Sequence, residues 1–267
     1  MAVNLSMLTK PERNRPIIAT IFSEGGMGKT SLAASFPAPV IFRIEDGATA
    51  IRDRDGVLLT PLLKTTNEVF SWIEAMLNEE HGYKTAVFDS ITQFRTMAEA
   101  EVLAADGSAK ALAKALGGYG AGVDAVRERM RQLREWAGKL FELRGMNVLF
   151  LAHADVEDME PPDAEPFKRY TIRIPSKQGL SNYTDNVDVV GYIKLKTMVN
   201  TVEGEHNRAS TTGERVLVTY ATPANVSKNR FGIMKDLPFK PGTNPLEPYL
   251  APVEQAAPQD APAQQAA

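Results

Sequence analysis

The chain has 267 residues, 43 % of them hydrophobic, enough to fill the core of one large α/β domain. Zero cysteines exclude disulfides and thiolate metal sites, and with only His81, His153 and His206 a dedicated zinc site is not expected. The formal net charge of −3 excludes a generally cationic wrapper of nucleic acid but leaves a local basic groove open.

With no long apolar run and no cleavable apolar leader, the sequence predicts a cytoplasmic protein without membrane contact. Residues 1–15 are polar, contain Pro11 and read as an N-terminal arm, and residues 16–250 read as one domain. An apolar run over 17–22 predicts the first strand. It feeds into Ser23-Glu24-Gly25-Gly26-Met27-Gly28-Lys29-Thr30, and a helix is predicted over 31–36 from Ser31. A strand, a glycine-dense turn ending in Gly-Lys-Thr, and a helix form the context of a phosphate-binding loop. The turn glycines let backbone N–H groups crowd around phosphate oxygens, and the helix adds the positive end of its dipole. Lys29 can reach the β- and γ-phosphates and the Thr30 hydroxyl can ligate magnesium. The motif therefore predicts ATP and Mg2+ held by Ser23 through Ser31, against the alternative of a glycine-rich turn with a solvent lysine. Ser23 stands where the pattern has its first glycine, which is tolerable if its φ is negative.

Residues 40–44 predict a second strand, ended by Glu45-Asp46-Gly47, and 57–59 a short third. Val69, Phe70, Ile73 and Leu77 give a helical stripe within 67–79, and 85–88 with Asp89 form the next strand. A helix over 91–105 follows, then a Gly-, Ala- and Lys-rich stretch over 106–122 that reads as mobile or weakly helical. Val123, Val126, Met130, Leu133, Ala137 and Leu140 define a long amphipathic helix, with Arg127, Arg129, Arg131 and Arg134 on its solvated face. Residues 147–152 make a further strand closed by His153. This alternation predicts an α/β fold with a mainly parallel central sheet. Beyond it lie proline-rich 161–166, basic 168–177, and β patterns at 187–195 and 215–219 with an exposed hairpin or loop at 204–213, a β-rich C-terminal region over 187–235. Residues 251–267, mostly Ala, Pro and Gln, read as a disordered tail or a short partner-binding peptide.

Asp89, at a strand end, is placed to support magnesium opposite Lys29, and Ser90 either orients a neighbour or caps the next helix. Glu45 is the first candidate to align the attacking water, with Asp46 as its rival. His153 can meet the γ-phosphate or relay its presence, or be a satisfied structural histidine. In the basic stretch, Lys168, Arg169, Tyr170, Arg173 and Lys177 combine charge and aromatic surface suited to single-stranded nucleic acid. The same alternation also describes an edge hairpin with one polar face. Lys110, Lys114 and Tyr119 are weaker candidates for the same groove. Lys228 and Arg230 are candidates to reach the nucleotide of their own or a neighbouring subunit, or to make surface ion pairs.

The loop from Ile21 to Thr30 with Ser31-Leu32-Ala33, the strand ending at Gly47, Ala86-Val87-Phe88-Asp89-Ser90, and Val148 to His153 together resemble the phage-encoded RecA-like proteins of the Sak-type recombinase and single-strand-annealing group. Asp188 with its neighbours and Lys228-Asn229-Arg230-Phe231-Gly232 extend the likeness, which covers about 17–235. The resemblance implies a RecA-like P-loop NTPase core, a homo-oligomer in the host cytoplasm, ATP hydrolysis and single-stranded DNA as partner, and leaves open a single-strand-binding protein as a further one. It also implies that Glu45 is the catalytic acid, Asp89 the magnesium-supporting acid and His153 the polar sensor ahead of a DNA-facing loop over 155–185. Ser23 and Arg43 depart from the pattern and bear on the hydrolysis rate. Two other functions stay open on the residues alone: a small-molecule phosphotransferase and a non-hydrolytic ATP-responsive assembly module.

Overall fold

The computed structural model describes residues 15–47, 51, 54–200, 208–240 and 242–250. The expected arm over 1–15, apart from Arg15, the tail over 251–267 and the 204–207 part of the expected hairpin lie outside the described residues.

Strand β1 (Ile18–Ser23) is buried along its length, and its alternating side chains divide the core. Ile18 and Phe22 face one side with Phe42, Phe88 and Phe150, whereas Ile17, Ala19 and Ile21 face the other with Leu32 and Ala33 of α1 (Lys29–Ala33). Around β1 stand β2 (Pro39–Arg43), β3 (Leu58–Leu59), β4 (Thr85–Asp89) and β5 (Asn147–Met159). All four run parallel to it, in the order β1-β5-β4-β2-β3.

The first face is covered by α2 (Thr66–Asn78), α3 (Ile91–Asp106) and α4 (Ala121–Arg144), whose apolar stripes include Val69, Ile73, Phe94, Val126, Met130 and Leu133. Their ends follow local chemistry. Thr65 accepts a hydrogen bond from the Glu68 amide at 3.2 Å, and Gly145, at φ 63°, closes α4. The stretch over 106–122 is more ordered than its composition predicts. A 3-10 turn over Leu112–Gly117 buries Leu112 and Ala115 against α4, where a Cβ on Gly122 would come 2.3 Å from the Leu112 carbonyl oxygen.

Two expectations change at the other end of the chain. β5 does not stop at His153 but runs on to Met159, pairing antiparallel with β6 (Phe167–Ile172). The expected loop over 155–185 is thus a two-stranded hairpin followed by a 3-10 turn and a short helix, α5 (Ser181–Thr184). Backbone pairing compensates for the loss of a buried face beyond Ala154. On the far side of β1, β7 (Val189–Asn200) is parallel to it, β8 (Arg208–Val218) and β9 (Lys228–Asn229) run antiparallel to β7, and β10 (Leu237–Phe239) runs antiparallel to β8. The sheet is therefore mixed. Among the described residues no helix is long and apolar enough to cross a membrane.

Candidate nucleotide site

The loop leaves β1 at Ser23, whose side chain is buried and donates to the Glu24 carbonyl at 2.8 Å. Ser23 is the last residue of the strand and its φ is not positive, so no glycine is required there. Left-handed backbone falls instead at Gly26, φ 75°, and Gly28, φ 94°. A Cβ on Gly25 or Gly26 would meet nothing within 4 Å, which leaves an open cradle above their amides. The helix after the loop begins earlier than predicted, at Lys29, and has five residues, so the loop amides rather than a long helix dipole supply most of the positive field.

Lys29 is buried and its Nζ donates to the Ser23 carbonyl at 3.2 Å and the Glu24 carbonyl at 3.1 Å. Burial pulls its pKa down, Asp89 and Glu45 push it back up, and the Arg173 charge lowers it further. The Thr30 hydroxyl donates to Asp89 Oδ2 at 2.7 Å. Burial raises the Asp89 carboxyl to about 6 despite that hydrogen bond. The Asp89 carbonyl accepts from the Ile44 and Glu45 amides, fixing the turn after β2 against the end of β4.

Glu45 Oε2 accepts from Ser90 Oγ at 2.7 Å and lies 3.2 Å from His153 Nε2. Burial works against the Glu45 charge, but these hydrogen bonds, His153 and Lys29 together hold its carboxyl below the usual range. Asp46 instead pairs with Arg43 at 2.9 Å with its side chain 74 % exposed, so of the two acids Glu45 is the one turned to the site. Ser90 fills both roles considered for it, since its Oγ also accepts from the Gln93 amide. Thr92 Oγ1 accepts from the His153 amide, a support that no motif in the sequence signals.

The structure thus gathers Ser23, Lys29, Thr30, Glu45, Asp89 and His153 at the C-terminal ends of β1, β2 and β4 and at the middle of β5, where its parallel pairing with β1 ends. Met27 sits in the same turn, Ser31 follows in α1, and Glu24 is exposed at the rim. A hydroxyl and a carboxylate in contact, beside a buried ammonium and open loop amides, are hard oxygen donors and anion donors of the kind that fit a magnesium–nucleotide.

Lys228 and Arg230 are not brought to this site. β9 pairs with the start of β7, and the Arg230 amide donates to the Asp188 carbonyl, at the level of Ile18. Strand rise puts them about 10–16 Å from Ser23, at the opposite end of the sheet. Lys228 Nζ donates to the Asp185 carbonyl, and Arg230 lies 3.5 Å from buried Asp188, which also holds Arg15 and the Ile18 amide. Reaching this chain's own nucleotide is excluded by that geometry.

The basic stretch is likewise engaged. Lys168 pairs with Asp158 at 2.6 Å and Arg169 with Glu157, each across the β5–β6 ladder. Tyr170 stacks on Tyr192 at 4.9 Å between centroids, and Tyr192 stacks on Phe22 at the same distance. Arg173 reaches toward the nucleotide site: its amide donates to the His153 carbonyl and its Nη2 to the Ala154 carbonyl at 3.0 Å. Lys177 is exposed and its carbonyl accepts from Arg127. Lys110 and Lys114 are exposed between α3 and α4, and Tyr119 is fully so.

A strand–loop–helix with Lys29 and Thr30, an acid at the end of β4, and β5 between those two strands define a P-loop NTPase-like α/β domain. The family model described as an AAA domain, AAA_24, matches residues 15–231, and the chain belongs to that family. It carries an ATP-binding P-loop NTPase domain of a superfamily related to, and broader than, the RecA-like recombinases. None of the curated proteins matches the chain.

Proposed function

We propose that the protein is an ATP hydrolase that acts on single-stranded DNA, of the RecA-like phage recombination or annealing kind. The observation that carries the reading is the continuity of β5. One strand bears His153, in contact with Glu45, and then becomes the hairpin that carries Lys168, Arg169 and Tyr170. A change at the γ-phosphate position has a direct covalent route to that hairpin through β5.

In this reading Lys29 and the amides from Gly25 to Thr30 bind the ATP phosphates. Thr30 and Asp89 would hold a magnesium ion, which when bound neutralises charge on the β- and γ-phosphate oxygens. Glu45, kept ionised by Ser90 and His153, orients water and takes its proton at a carboxylate oxygen. Arg173 adds positive charge near the same position. Single-stranded DNA meets Lys168, Arg169, Arg173 and Lys177, and Tyr119, fully exposed, is better placed than Tyr170 to stack on a base. Homo-oligomerisation gives Lys228 and Arg230 a role at a neighbouring subunit, and a single-strand-binding protein is a further partner.

A second reading, an ATP-responsive assembly module, is favoured by the pairing of Lys168 and Arg169 with hairpin acids. Magnesium-dependent ATP hydrolysis measured with and without single-stranded DNA separates the two, with duplex DNA and Lys29→Ala as controls. Stimulation by single strands supports the first reading; ATP binding with neither turnover nor stimulation overturns it.

A further inference from the structure

We infer that a cavity beside β8 and β10 receives the nucleoside of the bound nucleotide, and that Arg215 joins this cavity to the phosphate-binding loop. The inference rests on the reading of the loop as an ATP site and adds which part of the chain recognises the rest of the ligand.

The sheet runs β10-β8-β7-β1-β5-β4-β2-β3. Asp89, Glu45 and His153, the groups fit to meet the terminal phosphate, belong to β4, the turn after β2, and β5, all on one side of β1. A phosphate chain lying in the loop with its γ end toward those groups directs its nucleoside to the other side, toward β7, β8 and β10. There the structure has a cavity of about 530 Å3, within the range of sites that enclose small organic ligands.

No loop residue lines the cavity, but two of its lining residues stand against Gly28. A Cβ on Gly28 would come 3.1 Å from Arg215 Nη1 and 3.1 Å from the Phe239 ring edge, and both residues line the cavity. The close approach therefore needs glycine at position 28 for two reasons, its φ of 94° and the space that Arg215 and Phe239 occupy.

The lining has the chemistry of a heteroaromatic ring joined to an anion. Val216 and Pro238 give apolar wall, and the buried Phe239 is the direct register partner of Arg215 in the β8–β10 ladder. A planar guanidinium stacks on an aromatic base face. Lys196 and Lys240 add positive charge at the rim against one acid, Glu214, which lies 3.4 Å from Lys196.

The test uses the full chain with Mg2+. Wild-type protein is photolabelled with 8-azido-ATP and the labelled peptides are mapped, while equilibrium binding of ATP and of inorganic tripolyphosphate is compared between wild type and Arg215→Ala. The inference expects ATP-protected label within 213–216 or 238–240. It also expects Arg215→Ala to weaken ATP about tenfold and tripolyphosphate by less than about twofold. ATP-protected label elsewhere, or equal weakening of both ligands, overturns the inference and leaves the ATP site standing. If wild-type protein binds neither ligand, the ATP reading falls and the inference with it.

Discussion

Thr30 donates its hydroxyl proton to Asp89 at 2.7 Å, so the fold itself brings into contact two oxygen groups that lie 59 positions apart. Asp89 is buried and its carboxyl is raised to about 6. A raised carboxyl pKa means that the folded chain binds the proton more tightly than the unfolded chain between about pH 4 and 6. Stability without metal therefore falls as pH rises through that window, and the full penalty persists above it. Asp89→Asn removes the penalty and keeps an oxygen for Thr30. The variant, in EDTA at pH 7.5, should melt several degrees above wild type and show no such advantage at pH 4, while its magnesium-dependent ATP turnover is lost. Equal melting temperatures at both pH values would contradict the assignment of a buried, ionised Asp89.

Lys29 tests the loop. Its ammonium is held by the Ser23 and Glu24 carbonyls, so Lys29→Ala should lower melting modestly by leaving those carbonyls without this donor, and weaken ATP on the order of 100-fold in equilibrium titration.

Glu45 and His153 form a coupled pair at 3.2 Å. Glu45→Gln should keep ATP affinity within about twofold and lower kcat by about 100- to 10,000-fold. His153→Ala should lower kcat less, and the double variant should be no slower than Glu45→Gln alone, because His153 acts by holding Glu45. Additive losses in that cycle would separate the two roles. Normal turnover by Glu45→Gln would remove Glu45 as the principal acid.

The paired hairpin makes an unusual prediction for DNA binding. Removing charge at Lys168, Arg169 and Lys177 should weaken single-strand binding and reduce the slope of log affinity against log salt by about 2. Glu157→Gln with Asp158→Asn, which releases Arg169 and Lys168 from their partners, should strengthen binding under the same conditions. Fluorescence anisotropy at three salt concentrations decides it; no response to either set of changes means that the hairpin does not meet DNA.

The sequence by itself determined the loop, most helices and the five parallel strands β1 to β5, because each is written locally. Glycine spacing, Gly-Lys-Thr, apolar runs of strand length and a three- to four-residue helical stripe all act over short distances. It also singled out Asp89, Glu45 and His153, since each is a polar residue that closes an apolar run, a signal visible in the sequence even where, as at His153, the strand continues. Only the tertiary structure decided which of these meet. Choosing Glu45 over Asp46 depends on Ser90 at the start of α3 and His153 on β5, and on Arg43 drawing Asp46 outward. Lys228 and Arg230 carry the right charge for phosphate, yet antiparallel pairing of β9 with the start of β7 places them at the far end of the sheet. The alternation over 167–177 already offered an edge hairpin with one polar face as one of its two readings, but its pairing with an extended β5 was not legible, because beyond Ala154 that pairing comes from backbone ladders and cross-strand ion pairs, not from an apolar face. Arg215 gave no local signal at all. Its place against Gly28 comes from β8 and β10 being added to the sheet on the far side of β7, and sheet order is a property of long-range pairing that no short window of sequence contains.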